Sequence, residues 1–345
     1  MKRKVLGLLA VLLLALAMLA CTATPAAEEP VAEEPVAEEA EEELPEVEEP
    51  IEEEEVEEAL EGAEEEVEEV EEEGTLGTAE NPVVMSFVPS GETQEILASG
   101  EEIATMIEER TGLEVEANVA TSYAAVVEAM CAGNADVGWL NTFSYILANE
   151  RCGVDVSLAT VRFGEPFYTG QIVANADAGI ETLEDIAGNT ICWVDPLSTS
   201  GYIIPRVMVA AAGVDPDQLE SQFAGSHPNV ITAVYGGDCA AGATYVDART
   251  AVEEEFPDVM EQVIIVAESP PIPNDTVAFS PDVPEDVRES VVSALLEVAE
   301  TEEGVAALES VYEIEGFQEV DDSFYDEFRT ELDASGISIE ELAGE

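Results

Sequence analysis

The chain has 345 residues and carries 79 acidic against 10 basic side chains, a formal net charge of −69. Lys2, Arg3 and Lys4 open the chain, no lysine follows them, and the remaining cations are Arg110, Arg151, Arg162, Arg206, Arg249, Arg288 and Arg329. Nucleic acid and anionic lipid surfaces both require clustered cations, so this balance excludes a protein that coats either.

In chain order, "MKRK" is a positive start and "VLGLLAVLLLALAMLA" an apolar run too short and too one-sidedly flanked for a membrane span, which predicts a secretory leader over 1–21. It ends in "MLAC", which resembles a bacterial lipobox, so Cys21 is the expected site of lipidation. The next stretch, 22–79, is low-complexity Glu, Ala, Val and Pro, with 27 glutamates between Glu28 and Glu73 and no aromatic residue between them. Such a composition cannot bury enough apolar surface to fold, and its like charges extend it, so a disordered acidic tether is expected.

From Asn81 the pattern becomes that of a folded domain. "VVMSFV" predicts a strand, and Ile96, Ile103, Met106 and Ile107 mark the apolar side of a helix from about Gln94 to Arg110, stopped by Gly112. "LEVEANV" predicts a strand, "YAAVVEAMCA" a helix capped by Thr121 or Ser122, "ADVGWL" a strand, and "TFSYILANE" a helix capped by Asn141. The theme then repeats. "YTGQIVAN" and "TICWV" predict strands separated by the short helix "TLEDIAG". "GYIIPRVMVAAAG" predicts a helix, "SQFAG" a strand, "SHPNVITAVYGG" a helix and "CAAGATYV" a strand. "QVIIVAESPPIPND" gives a last strand and loop, and helical segments follow in "DVRESVVSALLEVAETEEG" and "DSFYDEFRTELDAS". Strands alternating with helices predict an α/β fold with mostly parallel sheets, and such sheets bind ligands beyond their carboxyl ends, where helices begin.

The candidate chemistry lies at those helix starts. A helix N-terminus offers unsatisfied N–H groups and partial positive charge, so Ser198, Thr199, Ser200 and Gly201 in "LSTSGYIIP" make an oxyanion cradle that needs no lysine. His227 in "AGSHPNVITAV" and Tyr123 and Asn141 stand at three other helix starts. Asp247 and Asp275 offer carboxylates that accept a hydrogen bond from a P–OH group or hold a substrate ammonium. Four cysteines, Cys131, Cys152, Cys192 and Cys239, follow the leader and allow three disulfide pairings. The lack of any CxxC and the single histidine argue against a metal site, and nothing in the sequence asks for a cofactor.

In their order, "ADVGWLNTFSYILA", "VDPLSTSGYIIPR", "AGSH", "GATYVDAR" and "SPPIPNDTVAF" resemble the phosphate/phosphite/phosphonate-binding proteins of ABC transporters. The resemblance implies a two-lobed, type II periplasmic-binding-protein fold. It places lobe 1 at 80–170 plus 271–345 and lobe 2 at 171–270, with hinge crossings near Phe167–Ile172 and Ser269–Pro273. It also implies a small phosphorus oxyanion as ligand, held by Tyr123, Asn141, Ser198, Thr199, Ser200, Gly201, His227, Tyr245, Asp247 and Asp275, and closure of the lobes around it. An ABC permease with its ATPase is the implied partner of a monomer anchored by Cys21 to the outer face of the cytoplasmic membrane. Pairing Cys131 with Cys152 and Cys192 with Cys239 keeps each disulfide within one lobe and is the favoured connectivity. Two other readings use the same residues: a sensory lipoprotein for the same anions, and a hydrolase with Ser200, His227 and Asp247 as nucleophile, base and orienting acid. The context "STSGY" lacks the G-x-S-x-G elbow and counts against the hydrolase.

Overall fold

The structure, a computed structural model, describes residues 74–335. The leader 1–21 with Cys21, and the acidic stretch up to residue 73, lie outside the described residues. The chain first builds β1 (Val83–Phe87), α1 (Thr93–Thr111), β2 (Val115–Val119), α2 (Tyr123–Cys131), β3 (Val137–Leu140), α3 (Thr142–Cys152) and β4 (Asp155–Val161). It then makes β5 (Phe167–Asn175), β6 (Thr190–Trp193), α4 (Ile204–Ala211), β7 (Glu220–Phe223), α5 (His227–Gly236), β8 (Ala241–Tyr245), the single turn α6 (Val259–Gln262) and β9 (Val263–Pro273). It ends with β10 (Thr276–Phe279), α7 (Glu285–Val298), α8 (Glu302–Tyr312), β11 (Gly316–Glu319) and α9 (Asp326–Ala334).

Two sheets result, β11-β4-β10-β3-β1-β2 and β7-β6-β8-β5-β9. In the first, β1 runs parallel to β2 and β3, whereas β10 lies antiparallel between β3 and β4 and β11 antiparallel on β4. In the second, β6 runs parallel to β7 and β8, and β5 is antiparallel to β8 and β9. Both sheets are therefore mixed, not mostly parallel. The cause is the return path: β10 enters the first sheet from the second in the opposite sense to β3.

The chain passes between the sheets twice, through residues 162–166 and through Asn274 and Asp275. These segments lie side by side. Asn274 N donates to Pro166 O at 2.9 Å, Asn274 Nδ2 to Glu165 O at 3.1 Å, and Thr160 N to Asp275 O at 2.8 Å. The expected crossings, Phe167–Ile172 and Ser269–Pro273, instead belong to β5 and β9, paired from Phe167 against Pro273. The change of sheet occurs just outside that ladder, where pairing ends.

Strand alternation sorts the core of the second sheet. Ile172, Ala174, Ile191, Trp193, Ala241 and Ala243 enter one apolar cluster, while their neighbours Val173, Cys192 and Val194 enter the other, which continues into the first sheet. Helix α1 buries Ile96, Ile103 and Ile107 and ends at Gly112, whose φ of 75° lets its N–H reach Glu108 O. The disulfides join Cys131 at the end of α2 to Cys152 at the end of α3, and Cys192 in β6 to Cys239 after α5, with Cα separations of 5.4 and 5.8 Å. Both match the favoured pairing.

Helix α5, which carries His227 at its start, packs against β8 through a close approach at Gly242. A Cβ there would meet Val230 Cγ1 at 2.6 Å and Val234 Cγ2 at 2.8 Å. Gly242→Ala is expected to push α5 outward and to destabilise the fold by about 1–3 kcal/mol. A thermal unfolding midpoint unchanged from wild type would show that α5 does not depend on this contact.

Candidate functional site

One cavity of about 510 Å³ lies where the two sheets face each other. Of the residues singled out from sequence, Tyr123, Asn141, Ser198, Thr199, Ser200, His227, Tyr245 and Asp275 line it. Each is delivered by a local rule. Ser122 caps α2 by accepting from Ala125 N at 3.2 Å, which starts the helix at Tyr123. Ser226 caps α5 in the same way, through Asn229 N at 3.4 Å, and sets His227 in the first turn. Ser198 accepts from Gly201 N at 3.1 Å and opens a wide π turn, Thr199–Ile203, that leads into α4.

Two expected residues fall elsewhere. Gly201 does not line the cavity; it is the spot where the π turn presses on Val194, with its N–H engaged by Ser198. Asp247 does not line it either. Its carboxylate takes a two-pronged bond from Arg249, Nε to Oδ1 at 2.8 Å and Nη2 to Oδ2 at 2.7 Å, and Arg249 holds its pKa below the ordinary carboxylate value. An arginine two residues along the chain thus captures the acid before any ligand can.

The lobes touch through a small set of hydrogen bonds around the cavity. Thr199 Oγ1 accepts from Asn141 Nδ2 at 2.7 Å and from Phe143 N at 2.9 Å. Asn141 Nδ2 also donates to Leu197 O at 2.8 Å, His227 N donates to Ser90 O at 3.0 Å, and Tyr123 N donates to Asp195 Oδ2 at 3.4 Å. Asn141, the expected cap of α3, makes no capping bond with its own side chain. Thr199 of the second lobe supplies that cap instead.

Sequence reasoning did not single out Arg162, Tyr168, Tyr312 and Glu313, which also line the cavity. Arg162 is the one Lys or Arg among the lining residues. It is buried, its Nη2 pairs with Glu313 Oε2 at 2.7 Å, and its guanidinium carbon stands 4.7 Å from the Tyr245 ring centroid. The cradle read as needing no lysine therefore has one arginine in the wall of its cavity. The signal was the pattern "DVSLATVR": it forms β4, whose end delivers Arg162 to the crossing between the sheets.

Burial and Arg162 set the electrostatics. His227 is buried, its Nδ1 lies 2.8 Å from Thr244 Oγ1, and desolvation followed by the Arg162 charge brings its pKa down to about 3. It is a neutral imidazole at physiological pH. Burial pushes Asp275 up to about 6 while Arg162 pulls it back. Burial, with nearby negative charge, raises Tyr123 and Tyr312 and keeps both as phenols. Tyr123 Oη, Asn141 Oδ1 and Arg162 Nε are buried with no hydrogen-bond partner.

The raised Asp275 pKa makes a stability prediction. A carboxyl shifted upward from 3.8 costs stability above its folded pKa, and the cost is relieved as pH falls through about 6 toward 3.8. Asp275→Asn is therefore expected to unfold at a higher temperature than wild type at pH 7, with the gap closing by pH 4. The depressed His227 acts with the opposite sign but is present in both proteins, so the difference isolates Asp275. A variant less stable than wild type at pH 7 would show that Asp275 is held by favourable contacts.

The family model described as "ABC transporter, phosphonate, periplasmic substrate-binding protein" matches residues 85–325. The Phosphate-import protein PhnD of Mycolicibacterium smegmatis is 33% identical over 175 residues, a match covering 47% of this chain and 54% of that protein, so the chain spans about half the length of this relative. A binding protein component of an ABC phosphonate transporter from Pseudomonas aeruginosa shares the fold at a TM-score of 0.66 and 23% identity, covering 76% of this chain and 92% of that one. PhnD1 from Prochlorococcus marinus, solved in complex with methylphosphonate, shares it at a TM-score of 0.65 and 17% identity, covering 72% of this chain and 97% of that one.

Proposed function

The chain belongs to the periplasmic phosphonate substrate-binding protein family of ABC transporters, and from that premise we propose that it captures a small phosphorus oxyanion in the cleft between its lobes and delivers it to a membrane permease driven by a separate ATPase. In this reading the protein is exported and works as a monomer. It is anchored through lipid on Cys21 at the outer face of the cytoplasmic membrane, with the acidic stretch up to residue 73 as its tether. Residues 74–79, expected in that tether, instead join the folded body, where Glu114 N donates to Gly77 O at 2.8 Å. The observation that carries the proposal is convergence. Tyr123, Asn141 and Asp275, with Arg162, come from one sheet and its crossings, and Ser198, Thr199, Ser200, His227 and Tyr245 come from the other; all meet at one cavity.

The division of labour follows from the hydrogen bonds already made. Thr199 uses both acceptor positions of its hydroxyl on Asn141 and Phe143, so its proton remains to be donated. Ser198 is occupied as a cap, and Ser200, like Thr199, has the Tyr168 hydroxyl beside it. Neutral His227, with Nδ1 beside Thr244, completes the donors from the second lobe. Asp275 accepts from a P–OH group, which a phosphorus anion offers and fully deprotonated sulfate does not. Only the closed arrangement presents both sets, so the ligand shifts the population toward it. The hydrolase reading finds no support in this geometry, because His227 Nδ1 partners Thr244 and the expected orienting acid, Asp247, is bound to Arg249.

Titration calorimetry of the full chain with phosphate, phosphite, methylphosphonate and sulfate tests the proposal. At least one phosphorus anion is expected to bind and sulfate is not. Ser200→Ala is expected to weaken that binding about 10- to 100-fold, the worth of one charge-assisted hydrogen bond of about 1.5–3 kcal/mol. Thr199→Val is expected to weaken it further, since it removes a ligand donor and the bond between the lobes. Affinity unchanged in both variants would rule this cleft out as the binding site.

A further inference from the structure

We propose that Arg162 is a specificity-determining ligand contact, which makes this cleft select phosphorus anions whose substituent is apolar or acidic and reject those bearing an ammonium group. This inference rests on the reading of the cleft as a phosphorus-anion site and names the class of anion it takes.

The geometry gives Arg162 an unspent donor at the right place. Its Nη2 is committed to Glu313 at 2.7 Å, yet its Nε is buried without a partner, and the residue is 5% exposed. A guanidinium N–H withdrawn from water and left unpaired is costly unless an acceptor arrives. The Tyr245 ring links it to the second lobe: the Arg162 guanidinium carbon lies 4.7 Å from one side of the contact and the His227 ring centroid 4.7 Å from the same Tyr245 centroid. Ser200, His227 and Arg162 all line the one cavity, so Arg162 borders the space around an anion seated on the other two.

The charges around Arg162 decide what that substituent can be. Beside Arg162 the carboxylates available for an ammonium are Asp275 and Glu313, whereas Glu92, Glu95, Glu254 and Glu255 also line the cavity but are exposed. Glu313 is ion-paired with Arg162, and Asp275 lies in the field of the same guanidinium. Asp247, the other acid expected to hold an amine, is bound to Arg249 outside the cavity. An ammonium seated beside Arg162 meets Glu313 already ion-paired, and it meets that cation itself at close range in a poorly solvated pocket. A carboxylate or a phosphoryl oxygen finds in the same place an unpaired N–H.

Calorimetry of the full chain with three probes, methylphosphonate, phosphonoacetate and 2-aminoethylphosphonate, reads this out as a ratio of affinities. Wild type is expected to bind phosphonoacetate and methylphosphonate at least 10-fold more tightly than 2-aminoethylphosphonate. Arg162→Gln is expected to lose about 10- to 100-fold for phosphonoacetate, to change methylphosphonate little, and to leave 2-aminoethylphosphonate unchanged or improved, so that the preference for phosphonoacetate over the ammonium compound collapses. Arg162→Lys, which keeps the charge and the packing stem but not the planar fork, guards against misfolding of the first variant and is expected to retain rejection of the ammonium compound. Equal losses for all three probes would mark Arg162 as structural only and overturn the proposal. So would a wild-type preference for 2-aminoethylphosphonate. Absence of binding by all three and by phosphate would instead remove the underlying reading of the cleft, and this inference with it.

Discussion

One oxygen, Thr199 Oγ1, takes two of the hydrogen bonds that join the halves of this molecule where they enclose the cavity. It accepts from the backbone of Phe143 and from the side chain of Asn141, and so acts as the cap of helix α3 although it belongs to the other lobe. Capping is ordinarily a local matter, solved by the residue before the helix. Here the local solution is withheld, because Asn141 turns its amide toward Leu197 and Thr199. The α3 N-terminus is satisfied by protein only while the lobes are together. Such bonds are each worth about 0.5–1.5 kcal/mol net, and the lobes share few of them. Under the proposed function, a ligand that favours the closed form adds its contacts to these bonds and to the apolar cluster that both lobes share.

The second constraint is the scarcity of cations. In a chain this acidic, an arginine is soon claimed. Arg206 holds Asp217, Arg249 holds Asp247, Arg288 holds Asp155 and Arg329 holds Asp322. Arg162 is claimed by Glu313 but only through one edge of its fork, and among the described residues it alone of the arginines borders the cavity. Its influence exceeds its single charge because its neighbours are poorly solvated. It helps drive His227 to the neutral form and restrains the rise of Asp275. The imidazole is thus available as a neutral hydrogen-bonding group, and the carboxyl is left near the point where it exchanges a proton with a phosphorus acid.

Much of this was legible in the sequence, and the reasons differ by element. The helix starts at Tyr123 and His227 were readable because Ser122 and Ser226 are strong caps, and the end of α1 because Gly112 tolerates a positive φ. Those same signals pointed to several residues that line the cavity, since these stand at helix starts. The three strands β4, β10 and β11 were not read. β10 is four buried residues with no alternation, and β11 is short and largely polar. The strand character of β10 and β11 comes from the neighbours they pair with, whereas β4 carries its own signal in "DVSLATV". Missing β4 also meant missing Arg162. The long helical stretch after Val283 proved to be α7 and α8, split where Thr301 caps the second by accepting from Gly304 N. Asp247 and Asp275 looked alike as loop acids. The difference lies in position: the crossing segment carries Asp275 into the cleft, whereas Arg249 pins Asp247 beside β8.

What the enclosed polar atoms leave unpaired also bears on the ligand. A buried group without a partner costs about 1–3 kcal/mol, so a fold retains several around one cavity only where something offsets them. Tyr123 Oη and Arg162 Nε offer donors, whereas Asn141 Oδ1 offers an acceptor. Asp275, when ionised, adds another acceptor. A tetrahedral anion with no proton answers the donors and leaves the acceptors facing its own oxygens. A phosphorus anion that keeps one P–OH answers both kinds at once. The same mixture explains why a cleft this polar need not bind its cargo irreversibly: only part of its inventory is charged, and neutral donors release an anion more readily than a fully desolvated ion pair would.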